Sequence, residues 1–112
     1  NWGYSVLNTF QGDDKVGMLG VFGGFLLLRS SFYWFSSGFQ RGGNLNTING
    51  KTELRRHLEN EEFGNDVVAA DGMFLAIKKD LFNNKIRWDE DYFDGFHFYD
   101  MDISMQIISN GY

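Results

Sequence analysis

Trp2, Val6, Leu7 and Phe10 recur at helical spacing and predict a helix from Trp2 to Phe10 that ends near Gly12. Asp13-Asp14-Lys15 then reads as a turn. From Val16 to Phe22 the residues are apolar on both faces, the pattern of a central strand covered from both sides, and its glycines allow another backbone or a ligand to come close. Gly23-Gly24 breaks that run, and Phe25 to Leu28 and Phe32 to Phe35 read as short strands or as an aromatic flap. Ser36 to Lys51 is rich in Gly and Asn and has no apolar period, which predicts a mobile loop, either an active-site lid or a plain insertion. A short helix is expected from Thr52 through Glu59.

Beyond that helix, Asp66 to Asp71 and Gly72 to Ile77 read as strand, break and strand. Lys78 to Phe82 reads as a helical turn, Asn83-Asn84-Lys85 as a turn, and Ile86 to Phe93 as an extended acidic segment. The last element is a helix capped by Asp100 or Asp102, with Met101, Ile103, Met105, Ile107 and Ile108 facing inward and Asn110-Gly111 as its stop. Helices and strands alternate, so the expected class is α/β or α+β.

Size and composition narrow the picture. One domain is expected from 112 residues, and with 43% hydrophobic and 18% aromatic content it is a folding sequence rather than a disordered one. A net charge of −5 with scattered Lys and Arg offers no basic field for a phosphate backbone, so nucleic acid is not an expected partner. There is no cysteine, hence no disulfide framework and no thiolate metal site. No run reaches the roughly 18 apolar residues of a membrane span, and no signal peptide is visible at Asn1-Trp2-Gly3-Tyr4.

The candidate chemistry is concentrated in Asp94 to Ser104, where aromatic residues, His97 and three carboxylates precede the last helix. A carboxylate at the mouth of a helix is stabilised by free backbone N–H groups and by the macrodipole, and can be aimed as a general base must be. Asp89, Asp91, Asp94 and Gly95 stand at positions 1, 3, 6 and 7 of a would-be calcium loop, and that spacing fails the EF-hand pattern. His97 with Asp100 and Asp102 reads as a hydrogen-bonded structural histidine or as part of a divalent-metal site; no closed metal site is assigned. His57, in a charged segment, reads as solvated. Asp71-Gly72, at a break between apolar segments, either presents a carboxylate in a cleft or forms a turn. No nucleophile elbow, Walker loop or dinucleotide fingerprint occurs.

In order and spacing these elements resemble the C-terminal half of the family 2 glycosyltransferase domain, the inverting GT-A type. Val16 to Val21 resembles the strand that follows the nucleotide-sugar half, and Asp71 to Lys79 resembles a small-residue step before an apolar strand that ends in basic residues. Trp88 to Phe93 is similar to the "FDE-x-F" element, with Trp88 in place of Phe, and His97 to Ser104 running on to Asn110-Gly111-Tyr112 is similar to the "EDxDLs…GY" helix, with Tyr99 in place of Glu.

The resemblance implies a partial GT-A-like α/β fold, a mixed sheet with flanking helices, in which residues 1–112 form a single domain on the acceptor side. It implies transfer of a sugar from a nucleotide-sugar donor to an acceptor hydroxyl of saccharide type, with inversion, and Asp100 as the catalytic base. Asp71, Gly72, His97 and Asp102 are the implied substrate-binding residues, with Asp102 orienting the start of the helix. A divalent metal, Mn or Mg, is implied for the full-length enzyme. In that family the nucleotide-binding strands and the "DxD"-type motif come before the segment that Val16 begins. Asn1 to Lys15 holds neither, so this chain alone is expected to be inactive. The implied setting is bacterial and cytoplasmic, including the inner face of the membrane, and a sheet edge left open would favour a homo-oligomer. The competing reading is a non-catalytic carbohydrate- or protein-binding module that uses the Phe32 to Phe35 aromatics.

Overall fold

Helix α1, Trp2–Gly12, starts where the Asn1 side chain accepts a hydrogen bond from the Gly3 N–H at 3.1 Å, and it ends at Asp13. The computed structural model describes residues 1–24, 40–48, 51–56, 67–95 and 97–112. The helix falls where the apolar spacing puts it, yet none of its residues is buried, and Trp2, Tyr4 and Leu7 are exposed. Its contacts with the rest of the chain include the Trp2 ring edge-on to Phe74, with centroids 5.6 Å apart. At its far end the Lys78 ammonium donates to the Asp13 and Asp14 carbonyls at 3.3 and 2.9 Å.

The segment expected as one central strand is two short ones. Strand β1, Met18–Gly20, pairs antiparallel with β6, Leu75–Ile77, whereas β2, Phe22–Gly24, belongs to a second antiparallel sheet that among the described residues has four strands, in the order β4 (Lys51–Arg56), β3 (Gln40–Ile48), β2 and β5 (Ala69–Ala70). The break falls at Val21, which is exposed, so the run is not sandwiched on both faces, and Gly23-Gly24 continues a strand rather than ending one. At Gly17 the close approach is by side chains rather than by another backbone. A Cβ there would lie 2.8 Å from Tyr112 Cβ and 2.9 Å from Ile107 Cγ2, so only hydrogen lets β1 lie against the end of the last helix.

Strand β3, Gln40–Ile48, and strand β4, Lys51–Arg56, form a hairpin where a loop and the beginning of a helix were expected. Ile48 pairs with Lys51, so the chain between the strands is Asn49-Gly50, the dipeptide most favoured in two-residue hairpin connections. Apolar periodicity missed this hairpin because a ladder pairs through its backbone whatever its side chains are. Phe25 to Leu28, Phe32 to Phe35, His57 and Glu59 lie outside the described residues.

Strand β5, Ala69–Ala70, pairs with β2 and is buried on both residues. After β6 a 3-10 turn, Lys79–Phe82, and Asn84 at φ 75°, a conformation that Asn tolerates, reverse the chain as expected. Helix α2, Tyr99–Ser109, closes the fold and ends at Asn110, followed by Gly111 at φ +87°. Its Ile103 and Ile107 form the core with Leu81 and Ile86, and Met18, Leu75, Ile77 and Tyr112 pack around them. Met105 and Ile108 are 40% and 39% exposed, so the inward stripe is narrower than the full set of apolar positions. Helices and small antiparallel sheets of this kind are compatible with the α/β class, and every strand pair among the described residues is antiparallel.

Candidate active site

Neither Asp100 nor Asp102 caps α2. The N-cap is Phe98, held in the left-handed region at φ 74° and ψ −9°, with no side-chain capping bond, and both aspartates lie in the first turn. A non-glycine residue there costs about 1–2 kcal/mol, and such strain is met where a fold over-determines a local geometry. The first two turns of α2, which follow it, make contacts with two other segments of the chain.

Those contacts begin at Asp100. Its Oδ2 accepts the Gly72 N–H at 3.0 Å and its Oδ1 accepts the Met101 N–H at 2.9 Å. One turn on, the buried Ser104 hydroxyl donates to the Asp100 carbonyl at 2.6 Å and accepts the Ala70 N–H at 3.2 Å. The Asp71 N–H, between them in sequence, donates to Phe22 O in the neighbouring strand at 2.8 Å. Backbone N–H groups alternate sides along extended chain, so one edge of this segment joins β2 while Ala70 and Gly72 on the other edge are taken by α2. A helix therefore covers what would otherwise be an open strand edge. Residues four apart on a helix share a face, which lets Asp100 and Ser104 reach donors two residues apart on the strand.

The opposite flank of α2 holds the segment after Ile86. The Gln106 side chain accepts the Arg87 N–H at 3.0 Å and donates to Arg87 O at 3.0 Å, and it also donates to Asp102 Oδ2 at 2.6 Å. This grip sets Trp88 beside the first turn of α2, its ring 6.1 Å from that of Tyr99 and 6.0 Å from that of Phe82. Between them opens a cleft lined by Trp88, Asp89, Glu90, Phe93, Tyr99 and Asp102. It holds about 50 Å³, room for a few waters.

Of the residues named from sequence, Gly72 and Asp100 meet directly, and Asp102 faces the cleft. Asp71 closes its own turn, with Oδ1 accepting the Met73 N–H at 2.9 Å. His97 is exposed, its ring against Phe98 at 6.4 Å. Trp88, Tyr99, Ser104 and Gln106 were not singled out as site residues. Ser104 was findable as the residue one turn after Asp100, and Trp88 as an aromatic set among carboxylates. Among the described residues no group of three His, Asp or Glu side chains stands where it could hold a metal ion. Among them, too, no helix is long and apolar enough to cross a membrane.

Over residues 1–112 the chain matches the family described as "Glycosyltransferase like family". It belongs to that family. It is thus a family 2-type glycosyltransferase-like domain, and the first turn of α2 with its cleft is the place in that domain where candidate chemistry gathers. No curated protein and no solved structure matches the chain.

Proposed function

We propose that this glycosyltransferase-like chain is the acceptor-side part of an inverting, GT-A type catalytic domain, and that Asp100 is its general base. In this reading the donor is a nucleotide sugar and the acceptor a saccharide hydroxyl. Asp100 takes the acceptor proton, the freed oxygen forms a bond to the anomeric carbon from the face opposite the leaving group, and the bond to the diphosphate breaks with its electron pair leaving on phosphate oxygen.

The observation that supports this reading is the fixation of the Asp100 carboxylate by two backbone N–H groups, from Gly72 and Met101, in the first turn of α2. Each carboxylate oxygen has two acceptor sites, so each keeps one after binding its N–H. A base held in place this way loses little entropy on reaching the transition state. Gly72 serves as the backbone anchor of the base. No step here runs through a metal.

The test is Asp100→Asn in the full-length enzyme, a substitution that keeps one oxygen for the Gly72 N–H. Turnover is expected to fall by roughly 10²–10⁴-fold, while UDP affinity, measured by calorimetry, stays level. Unchanged turnover would remove Asp100 from the role.

A further inference from the structure

We infer that Ser104 is a positioning residue for the proposed base: its hydroxyl fixes the turn of α2 that carries Asp100 against the edge of β5, and so sets the direction in which the Asp100 carboxylate points. This rests on the glycosyl-transfer reading above and adds to it a second residue on which the transfer depends.

Local structure gives no reason for a hydroxyl at this position. Ser104 lies in the interior of α2, is 2% exposed, and is the single polar side chain in the buried class among the described residues. A serine inside a helix is a poorer helix former than alanine, and a hydroxyl turned back on the carbonyl four residues earlier weakens or bends the helix. What the hydroxyl adds is a link between two segments.

That link has a direction. The hydroxyl has one proton, which goes to the Asp100 carbonyl at 2.6 Å, and this leaves its oxygen to accept the Ala70 N–H at 3.2 Å. The residue that receives the proton is the one whose carboxylate accepts the Gly72 N–H. Asp100 is therefore held through its backbone by Ser104 and through its side chain by Gly72.

Two points of attachment fix an orientation that one leaves open. With the Asp100–Gly72 bond alone, the first turn of α2 is free to turn about that bond. The Ser104–Ala70 bond, four residues on along the helix and two back along the strand segment, removes this freedom. The Met101 N–H belongs to the same turn as Asp100, so its bond moves with the carboxylate and gives no outside reference. A reacting group misplaced by about 1 Å loses on the order of 10²-fold in rate.

The test compares Ser104→Ala with Ile103→Val in the full-length enzyme, in the transfer assay used for Asp100→Asn. Ile103 adjoins Ser104 and lies in the core, so shortening it weakens the packing of the same helix without removing a hydrogen bond of Asp100. Ser104→Ala is expected to lower kcat about 10–100-fold with KM changed less than about twofold, whereas Ile103→Val leaves kcat within about twofold. The exchange rate of the Gly72 amide relative to that of Asp71, whose bond to Phe22 O is untouched, should rise about tenfold in Ser104→Ala and less than about twofold in Ile103→Val. In the Asp100→Asn background Ser104→Ala should lower kcat by less than about twofold more, since nothing is left for it to position. Ser104→Cys, with a weaker donor and acceptor, should show the same pattern at smaller amplitude, and it carries the test if the alanine variant does not fold. An unchanged kcat, an equal loss in Ile103→Val, an unchanged exchange ratio or full additivity with Asp100→Asn overturns the role of Ser104 and leaves the base in place. Failure of the base reading shows separately, as unchanged turnover in Asp100→Asn, and this role falls with it.

Discussion

The carboxylate of Asp100 accepts the backbone N–H of Gly72 at 3.0 Å across 28 residues of chain, joining the first turn of α2 to the turn that follows β5. With Ser104, which accepts the Ala70 N–H one turn further on, it gives the helix two attachments to the same strand edge. The position of the proposed base and the integrity of the sheet edge thus depend on the same bonds. That dependence separates what a substitution does to stability from what it does to turnover.

Removing either attachment should leave a backbone N–H without its acceptor. Ser104→Ala, at a site 2% exposed, is expected to cost about 1–3 kcal/mol in urea unfolding, and Asp100→Ala a similar amount. In Ser104→Ala the Ala70 amide should also exchange with solvent faster than its neighbour Asp71, whose bond to Phe22 O is untouched. Equal exchange at both amides would mean that the helix does not protect this edge.

Gly72 has no room for a side chain, since a Cβ there would overlap the Tyr99 phenol. Gly72→Ala is therefore expected to destabilise the fold by about 1–3 kcal/mol and to draw the Gly72 N–H away from Asp100. Shortening the obstacle should recover part of the loss. In a double-mutant cycle with Tyr99→Ala the two substitutions should be non-additive by more than about 0.5 kcal/mol, and additive costs would contradict the packing described.

Of the three isoleucines of α2, Ile103 and Ile107 belong to the core and Ile108 does not. Ile103 is fully buried and Ile108 is 39% exposed, so Ile103→Ala should cost about 2–5 kcal/mol and Ile108→Ala under about 1 kcal/mol. Comparable losses by chemical denaturation would restore the wider apolar stripe that the spacing alone predicts.

Local patterns carried much of the chain. Helical spacing located α1, Asn110-Gly111 marked the end of α2, and the turns at Lys79–Phe82 and Asn84 lay where short-range chemistry placed them. These features depend on neighbours in sequence, which periodicity and capping describe. The β3–β4 hairpin escaped because its strands lack an apolar face, although Asn49-Gly50 was the available signal.

By itself the sequence determined the membership of a glycosyltransferase-like family and the run from Asp94 to Ser104 as the place to look, because residue order and type are what family patterns consist of. Only the tertiary structure decided that Val16 to Phe22 divides between two sheets and that Asp100 lies inside the helix it was expected to cap. It also decided that Ser104 and Gln106 fasten the two flanks of α2, one to Ala70 and the other to Arg87. The reason is physical: hydrogen bonds from Ala70, Gly72 and Arg87 to α2 span 19 to 34 residues, and which partner a backbone N–H finds at that separation depends on how the elements pack rather than on the residues beside it.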